Sequence, residues 1–518
     1  MDNQEAKQTK RETTGRMLHV IAVILSILLM SFGFLCYEAL KLKDRIFPGL
    51  RFEQIWYSVT GDMQGANMDV FNFFFYRNVP LTILGCSIVV LISYKVIIPI
   101  FFKVKWLWWL RWVKKGYVFL CAAFCAFCVY YSLYFVGYIS YFQSLRAQSS
   151  QLYETYYVDP NTVEVTFPEE KRNLIYIFCE SMENTYMSDK SGGAQWFSLI
   201  PNLTQMCYSN TYFYNPITHN GAQVEYNCDW TVAAMLAHTS GIPMVMPNGQ
   251  NDYDNYTSFL PGVTNLGDIL EAKGYQLELL LGSDAAFGGR KALYTTHGNY
   301  TIFDYNTAVE RGYIDEDYYV WWGYEDRKLF DYAKEELTTL SEGDEPFAFT
   351  MLTADTHYID GYTDETYQDF YEDNYENAVA NSDQFLLDFV LWLQEQDFFA
   401  NTTIVIAGDH LNMGGSYISQ LPEDYPRTVF YCIINSATEY TGVLDHEYTT
   451  LDFFPTTLAA MGCKIEGDRL GLGTNLFSNE DTLIDQFGYD TLYDMMAAPS
   501  AYYQGNFAVH KNRASAFK

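Results

Sequence analysis

Residues 173–181 read Asn-Leu-Ile-Tyr-Ile-Phe-Cys-Glu-Ser (NLIYIFCES), and this stretch decides the fold. Leu174–Phe178 is wholly apolar and rich in β-branched and aromatic side chains, which predicts a strand buried on both faces of a parallel sheet. The stretch ends in Glu180, a carboxylate that a buried strand tolerates only when it is paired or bound to a cation. Since ligands bind at the carboxyl ends of the strands in open α/β sheets, we expect Glu180 to border such a crevice.

A second stretch of the same kind, Thr403–Ala407, is followed directly by Gly408-Asp409-His410. Aspartate and neutral imidazole are ligands suited to Mn²⁺, Mg²⁺ or Zn²⁺. Two buried strands that both end in metal-type ligands predict one ion held between them. The plainer alternative is a loop aspartate and a surface histidine.

Charge is divided very unevenly along the 518 residues. Residues 1–150 contain 16 Lys/Arg and 8 Asp/Glu, whereas the remainder contains 16 Lys/Arg and 55 Asp/Glu. This division is typical of a basic membrane part joined to an acidic aqueous part. Because the second part is so acidic, it does not favour binding to nucleic acid through general contacts with the phosphate backbone. An anionic substrate would have to be attracted by a few local cations and a metal.

Three stretches reach the roughly 20 apolar residues that a membrane-spanning helix needs. Between the second and third lies KVKWLWWLRWVKK (103–115), with five basic residues and four tryptophans, which predicts a cytoplasmic loop. An odd number of spans then places the rest of the chain outside the cell. The predicted organisation is a cytoplasmic tail (1–16), a membrane domain (17–142) with spans at about 17–40, 80–102 and 116–142, a polar tether (143–168) and an extracellular domain (169–518).

The outer domain alternates between predicted strands and helices over some 300 residues, which favours an α/β sandwich with a mainly parallel central sheet. From about Gly467 the pattern is less regular, and its aromatic and glycine content predicts a small antiparallel addition. The predicted elements are strands at 174–178, 276–281, 346–352, 403–407 and 427–435, and helices at 264–273, 377–395 and 449–461.

The ten cysteines do not form a disulfide framework. Five lie in apolar stretches, where cysteine behaves as a small hydrophobe. The other five are scattered, so that a Cys207–Cys228 disulfide and free thiols are both compatible with the sequence.

Thr231 begins a strongly helical run, TVAAMLA, with Asp229 as a plausible cap and Gly241 as the stop. A hydroxyl in the first turn of a helix lies where free N–H groups favour an anion. Beside a divalent cation it could ionise enough to attack a phosphoryl group. The alternative is a first-turn threonine without any chemistry.

A further candidate stretch is DAAFGGRKALYTTHGN (284–299). Its Gly288-Gly289 pair lets backbone approach a ligand, and Arg290 offers a guanidinium fork suited to phosphate oxygens. His297, in the same stretch, and His357, at the end of its own predicted strand, are further candidates. Taken singly, each is equally compatible with a loop residue or a surface charge.

Taken together, these motifs resemble a known family. FCES, a threonine that opens a helix, FGGRxxxYxxHG, TxDTH and a strand closing in GDH follow one another in the order found in the phosphoglycerol transferases. That family includes lipoteichoic acid synthases and the enzymes that decorate periplasmic glucans, and it belongs to the sulfatase/alkaline phosphatase superfamily. The resemblance covers about residues 170–480, including PTTLAAMG (455–462) and GLGTNLF (471–477).

The resemblance implies one divalent cation, Mn²⁺ or alternatively Mg²⁺, and a threonine nucleophile. Carried over position by position, the implied metal ligands are Glu180, Thr231, Asp409 and His410, with Thr231 as nucleophile, and the implied glycerol-phosphate contacts are Arg290, His297 and His357.

The implied reaction moves glycerol-phosphate from phosphatidylglycerol, through a phospho-threonine intermediate, to a polyglycerophosphate or glycan acceptor at the surface of a bacterial cell membrane. Two other classes stay open. One is a phosphoethanolamine transferase, a sulfatase or a phosphodiesterase of the same superfamily, although no CxPSR-like sulfatase motif is visible. The other is a non-catalytic, membrane-anchored binding module on the same fold.

Overall fold

The computed structural model describes residues 2–47, 50–60, 69–97, 110–146, 149–213, 221–245, 258–422, 424–440 and 446–508. The chain divides into two compact units. The first, here called the N-terminal unit, comprises Met1–Phe52 and Asn67–Gln143, and the second, the sheet unit, comprises Glu53–Ala66 and Ser144–Lys518.

The N-terminal unit is helical where it is described, with α-helices Asp2–Ile46, Asp69–Phe73, Val79–Ile92, Leu110–Phe135 and Tyr138–Ser144 and π-helical turns Phe74–Asn78 and Ser93–Ile97. It contains three helical segments long and apolar enough to cross a membrane, Met17–Ile46, Phe71–Val96 and Gly116–Phe135. The three predicted apolar helices are therefore confirmed, although the second begins nearer residue 71 than residue 80.

The first and third spans pack closely. A Cβ atom added at Gly33 would lie 2.7 Å from the Cα atom of Cys125, so only glycine allows this approach. Residues 98–109, which include the end of the predicted second span and most of the loop 103–115, lie outside the described residues, and for 110–115 only the backbone is described.

The sheet unit is built on a six-stranded sheet of order β4-β3-β5-β2-β6-β7. The first five strands in that order are parallel, and β7 runs antiparallel to β6 at one edge. The strands of the unit are β1 Val165–Thr166, β2 Asn173–Cys179, β3 Gln276–Leu281, β4 Thr301–Phe303, β5 Phe347–Leu352, β6 Thr402–Gly408, β7 Tyr431–Ile434, β8 Lys464–Ile465, β9 Arg469–Leu470 and β10 Gly473–Thr474.

Helices cover both faces of the sheet. Alternate residues of β2 point to opposite layers: Tyr176 packs in the core that includes the helix Thr231–Ser240, and Ile177 packs with the helices Asp326–Ser341 and Asn374–Gln394. The predicted α/β sandwich is therefore confirmed. Its α-helices are Phe52–Thr60, Leu152–Tyr156, Pro201–Ser209, Thr231–Ser240, Leu266–Ala272, Arg290–Thr296, Tyr305–Glu310, Asp326–Ser341, Asn374–Gln394, Ser416–Ser419, Phe453–Ala460, Leu483–Phe487, Tyr489–Ala497 and Ala501–Asn506.

The segment expected to be a tether is folded into the sheet unit. Leu152 and Tyr153 are buried, Val158 pairs with Gly471, and β1 pairs with β8. The predicted antiparallel addition is present as the β9–β10 pair, but the described chain beyond it is helical rather than irregular. All ten cysteines are free thiols, so the structure contains no Cys207–Cys228 disulfide.

Candidate metal and nucleophile site

The register of the two central strands brings the acidic residues together. Cys179, the last residue of β2, lies opposite Gly408, the last residue of β6. Glu180 and Asp409 therefore leave the sheet side by side, and the Asp409 N–H donates to the Cys179 carbonyl at 3.1 Å. A Cβ atom at Gly408 would lie 1.8 Å from the Met182 carbonyl oxygen, so this position in the Gly-Asp-His motif accepts only glycine.

Glu180, Asp409 and His410 form a cluster that could hold a metal ion. One ligand atom from each lies within 4.8 Å of the others. His410 Nε2 is 3.6 Å from Glu180 Oε1 and 3.4 Å from Asp409 Oδ2. All three residues are at most 3% exposed, so their polar groups need partners inside the protein, and one cation could serve all three.

The hydrogen bonds around the cluster orient it for a cation. His410 Nδ1 lies 2.9 Å from the Leu411 carbonyl, which assigns the proton to Nδ1 and leaves a lone pair on Nε2. Asp409 Oδ1 accepts the N–H groups of Ser181 at 2.8 Å and of His410 at 2.7 Å. His410 Nε2 and Asp409 Oδ2 are buried and have no hydrogen-bond partner among the described residues. This donor set fits a divalent cation.

The charges in the cluster conflict when no cation is bound. Burial and the nearby Glu180 carboxylate raise the pKa of Asp409 to about 7. Burial alone would lower the pKa of His410, but the charges of Asp409 and Glu180 outweigh it and raise the pKa to about 8. A cation at the common point would relieve this conflict by pairing with both carboxylates.

The loop after β5 fixes the backbone of Glu180. Thr353 Oγ1 accepts the Glu180 N–H at 3.0 Å, and Thr356 Oγ1 donates to the Glu180 carbonyl at 2.5 Å. Sequence reasoning missed both roles, although the two threonines belong to the TxDTH motif. The repeated threonines beside a buried strand end were the available signal.

A buried ion pair joins the segments that follow β2 and β6. Glu183 accepts from Arg427 Nε at 2.9 Å and from the Asn412 N–H at 2.9 Å, and Arg427 Nη2 also donates to the Asn412 carbonyl at 2.7 Å. The chain around His410 is thereby tied to the chain around Glu180. Sequence reasoning missed this pair because Glu183 and Arg427 are 244 residues apart and share no motif.

Thr231 is the first residue of its helix, as predicted, and it is half-buried. The N-cap residue is Trp230, whose backbone is extended and whose side chain makes no capping hydrogen bond. The prediction that Asp229 caps the helix is therefore wrong. Asp229 instead lies near enough to His410 for its charge to raise the pKa of the imidazole. The helix ends at Gly241 in the left-handed conformation, as expected.

Arg290 is held in place by its own loop. Its Nε donates to the Phe287 carbonyl at 2.9 Å and its Nη2 to the Asp284 carbonyl at 2.8 Å. Burial lowers the pKa of the guanidinium to about 10, opposed by the charges of Glu180 and Asp284. Arg290 is therefore a fixed cation in the electrostatic field of the cluster.

His357 also lies in the field of the cluster. Its Nδ1 bonds to the carbonyl of Tyr358, and its ring lies 4.7 Å from that of Trp322. Burial and the charge of His410 lower the pKa of His357 to about 4, so the ring is neutral at pH 7. With the proton assigned to Nδ1, the Nε2 atom of the neutral ring is a proton acceptor.

His297 has a different environment. It is 1% exposed, and its Nδ1 and Nε2 lie 2.8 Å from Asp268 Oδ2 and from the Phe259 carbonyl, respectively. Both ring nitrogens are thus engaged within the protein. A contact between His297 and a substrate would require one of these hydrogen bonds to be exchanged.

Comparison with known proteins agrees with this architecture. The model of the sulfatase family matches residues 172–463. Similar curated proteins are phosphoglycerol transferase I of Xanthomonas campestris pv. campestris (strain B100), 28% identical over 319 residues, and of Escherichia fergusonii, 29% identical over 338 residues. These alignments cover 60% and 63% of this chain but only 43% and 41% of the two relatives.

Among solved structures, the lipoteichoic acid synthase LtaP from Listeria monocytogenes aligns with a TM-score of 0.48 at 18% identity, covering 61% of this chain and 79% of that one.

Proposed function

Because the chain belongs to the sulfatase family, we propose that it is a membrane-anchored phosphoglycerol transferase with Thr231 as its nucleophile. The observation that supports this most is the convergence of Glu180, Asp409 and His410 at the carboxyl edge of the sheet, with ligand atoms within 4.8 Å of one another. The relatives named phosphoglycerol transferase I favour this reaction within the family. The chain spans less than half of their length, so the donor and acceptor are part of the proposal.

Glu180, Asp409 and His410, together with the Thr231 hydroxyl, would hold one divalent cation, Mn²⁺ in our proposal with Mg²⁺ as the alternative. When bound, such a cation lowers the pKa of a hydroxyl and neutralises charge that builds on phosphoryl oxygens. Arg290 would bind the remaining phosphoryl oxygens, because its guanidinium is positively charged and is held in place by its own loop.

In the first step, the Thr231 oxygen attacks the phosphorus of phosphatidylglycerol. The bond from phosphorus to the diacylglycerol oxygen breaks, and glycerol-phosphate stays on Thr231 as a phosphodiester. The Thr231 proton passes to the departing diacylglycerol oxygen. His357 is the proposed carrier of this proton. Its ring is neutral, so Nε2 can take up the proton, and its pKa of about 4 means that it releases the proton readily.

In the second step, the hydroxyl of an acceptor attacks the same phosphorus. The bond between phosphorus and the Thr231 oxygen breaks, and the acceptor proton returns to Thr231, so the enzyme is regenerated without any other reactant. We propose a polyglycerophosphate chain or a glycan as acceptor. Three helices able to span a membrane would keep the enzyme beside its lipid donor, with the sheet unit outside the cell.

The test is to incubate the full-length protein in lipid nanodiscs with Mn²⁺ and phosphatidylglycerol labelled in its terminal glycerol. We expect labelled glycerol-phosphate, without diacylglycerol, to be attached to Thr231 and to be detected by peptide mass spectrometry. The label should then move to an added polyglycerophosphate or glycan.

Parallel reactions separate the alternative classes. Phosphatidylethanolamine in place of phosphatidylglycerol tests a phosphoethanolamine transferase, and an aryl sulfate tests a sulfatase. Label on Thr231 from phosphatidylethanolamine alone, or turnover of the aryl sulfate alone, would contradict the proposed donor. A protein that binds Mn²⁺ but turns over none of these substrates would favour a non-catalytic binding module.

A further inference from the structure

A short helix from outside the predicted extracellular domain (169–518) belongs to the sheet unit. In sequence, Phe52–Thr60 lies between the first two apolar helices, but Glu53–Ala66 is part of the same compact unit as residues 144–518. We call Phe52–Thr60 the loop helix. Its Glu53, Gln54 and Tyr57 are 8%, 6% and 3% exposed, respectively. Polar side chains buried to this extent on one face of a helix require specific partners.

The buried face of the loop helix contacts the stretch that leads into Thr231. Glu53 accepts a hydrogen bond from the Tyr226 hydroxyl at 3.0 Å, and Gln54 Nε2 lies 3.4 Å from the Asp229 carbonyl. The ring of Tyr57 lies 5.9 Å from that of Trp230, the residue that caps the Thr231 helix. The loop helix thus supports the position from which the nucleophile is presented.

Tyr57 also contacts the loop that presents Arg290. Its hydroxyl donates to the Gly288 carbonyl at 2.6 Å, and Gly288 adopts φ 68°, a conformation that favours glycine. The neighbouring Phe287 carbonyl accepts from Arg290 Nε. One side chain therefore touches both the residue before Thr231 and the loop that fixes the guanidinium.

We propose that Tyr57 is a positioning residue, which sets the Arg290 guanidinium relative to Thr231 by contacting Trp230 and the Gly288 carbonyl at once. This inference rests on the proposed function, in which Thr231 attacks the phosphorus whose oxygens Arg290 binds. It follows that the phosphodiester-binding site is complete only with the segment between the first two apolar helices. A sheet unit without that segment would lack a part of its own site.

The test uses full-length variants in nanodiscs. Tyr57→Phe keeps the ring against Trp230 but removes the donor to Gly288. The matched control is Tyr275→Phe, because Tyr275 is 6% exposed and donates to the Arg172 carbonyl at 2.9 Å, near the amino ends of the strands. We expect Tyr57→Phe to lower kcat/KM for phosphatidylglycerol by about three- to tenfold, the range for one hydrogen bond, and Tyr275→Phe to leave it within about twofold.

Two further measurements separate positioning from general damage. In an Arg290→Ala background, Tyr57→Phe should cause no further loss, since its effect passes through Arg290. Binding of sn-glycerol 1-phosphate to the Mn²⁺-loaded protein, measured by calorimetry, should weaken by the same factor in Tyr57→Phe and should not depend on Tyr57 once Arg290 is replaced. An equal loss in both backgrounds, or no loss in either measurement, would overturn the role of Tyr57.

The binding measurement also keeps the two proposals distinct. If the wild type binds sn-glycerol 1-phosphate but does not transfer from phosphatidylglycerol, the proposed reaction is wrong, and the binding measurement still tests the positioning role of Tyr57. If the wild type transfers but does not bind the free ligand measurably, the change in kcat/KM tests the role of Tyr57. A wild type that does neither overturns both proposals.

Discussion

The Thr231 side chain separates the proposed chemistry from metal binding. Thr231→Ala removes the nucleophile but leaves Glu180, Asp409 and His410, whose ligand atoms already converge. We expect transfer to fall by at least about 10³-fold, whereas the Mn²⁺ affinity should fall by only about 10- to 100-fold. Thr231→Ser, which keeps a hydroxyl at the start of the helix, should retain measurable transfer. Normal turnover by Thr231→Ala would exclude the covalent route.

Protonation of the metal ligands predicts how cation binding depends on pH. With no cation bound, the pKa of His410 is raised to about 8 and that of Asp409 to about 7. A cation must displace the His410 proton below pH 8 and the Asp409 proton as well below pH 7. The Mn²⁺ dissociation constant should therefore rise by about tenfold per pH unit from 8 to 7 and more steeply below 7. Calorimetric titrations of the full-length protein between pH 6 and 9 test this, and a constant affinity over that range would contradict it.

At the scale of elements, the Glu183–Arg427 pair joins the segments that follow β2 and β6. Glu183 is fully buried and the Arg427 side chain is 24% exposed. Arg427→Met would leave an uncompensated buried carboxylate, which typically costs about 3–5 kcal/mol. We expect the free energy of unfolding to fall by that amount and Mn²⁺ binding to weaken, because the Asn412 carbonyl near His410 loses its hydrogen bond from Arg427 Nη2.

A surface pair provides the control for that prediction. Lys334 Nζ lies 3.4 Å from Asp331 Oδ1, and the two side chains are 32% and 65% exposed, respectively. Lys334→Met should therefore change the stability by less than about 1 kcal/mol. Glu183→Gln combined with Arg427→Met removes both buried charges and should recover part of the loss. Equal effects at the buried and the exposed pair would refute the special role of Glu183.

Two buried aspartates tie the helix Asp326–Ser341 to the loop that carries His357. Asp326 accepts the N–H groups of Ala354 at 2.7 Å and Asp355 at 3.0 Å, and Asp355 accepts the Asp326 N–H at 3.1 Å. Burial raises the pKa of Asp326 to about 7, and burial together with the charge of Asp326 raises the pKa of Asp355 well above its usual range. The native pair therefore holds protons to higher pH than the unfolded chain does.

This pair predicts a pH dependence of stability. For an acid with a raised native pKa, the stabilisation is fully present below the unfolded pKa of about 4 and is lost as the pH rises through about 7. Between pH 5 and 7, the free energy of unfolding of the wild type should therefore fall, relative to Asp355→Asn, by up to about 1.4 kcal/mol per pH unit. Chemical unfolding of both proteins at several pH values measures the difference. If the difference in the free energy of unfolding between the two proteins did not change with pH, the raised pKa values of Asp326 and Asp355 would be contradicted.

The parts of the site that can be predicted are those whose sequence pattern lies within a few neighbouring residues. The strand ends at Glu180 and Asp409 are predictable because an apolar run and the acid that ends it are neighbours in sequence. The contact between Tyr57 and Gly288 spans 231 residues and leaves no local pattern. Asp229 fits the local preference for a cap, but Trp230 is extended there and its backbone caps the helix instead.

At the scale of the whole molecule, the charge division constrains how an anionic donor is recognised. Residues 151–518 carry 55 Asp/Glu and only 16 Lys/Arg. Such an excess repels a phosphodiester at long range, so that the attraction has to come from Arg290 and a bound cation at short range. The proposed lipid donor meets this condition, because confinement to a membrane replaces long-range attraction as the means of bringing donor and enzyme together.

The orientation in the membrane is the last prediction. The tail contains Lys7, Lys10, Arg11 and Arg16, and the loop 103–115 adds five basic residues, so both should lie in the cytoplasm. Three spans then place the sheet unit outside, where the proposed acceptors are. In intact cells, a membrane-impermeant maleimide should label Glu480→Cys but not Lys7→Cys, both of which replace exposed side chains. Lys7→Cys should react only after permeabilisation, and the unmodified chain, in which nine of the ten cysteines are buried, supplies the background. Labelling of Lys7→Cys alone in intact cells would invert the topology and separate the site from a cell-surface acceptor.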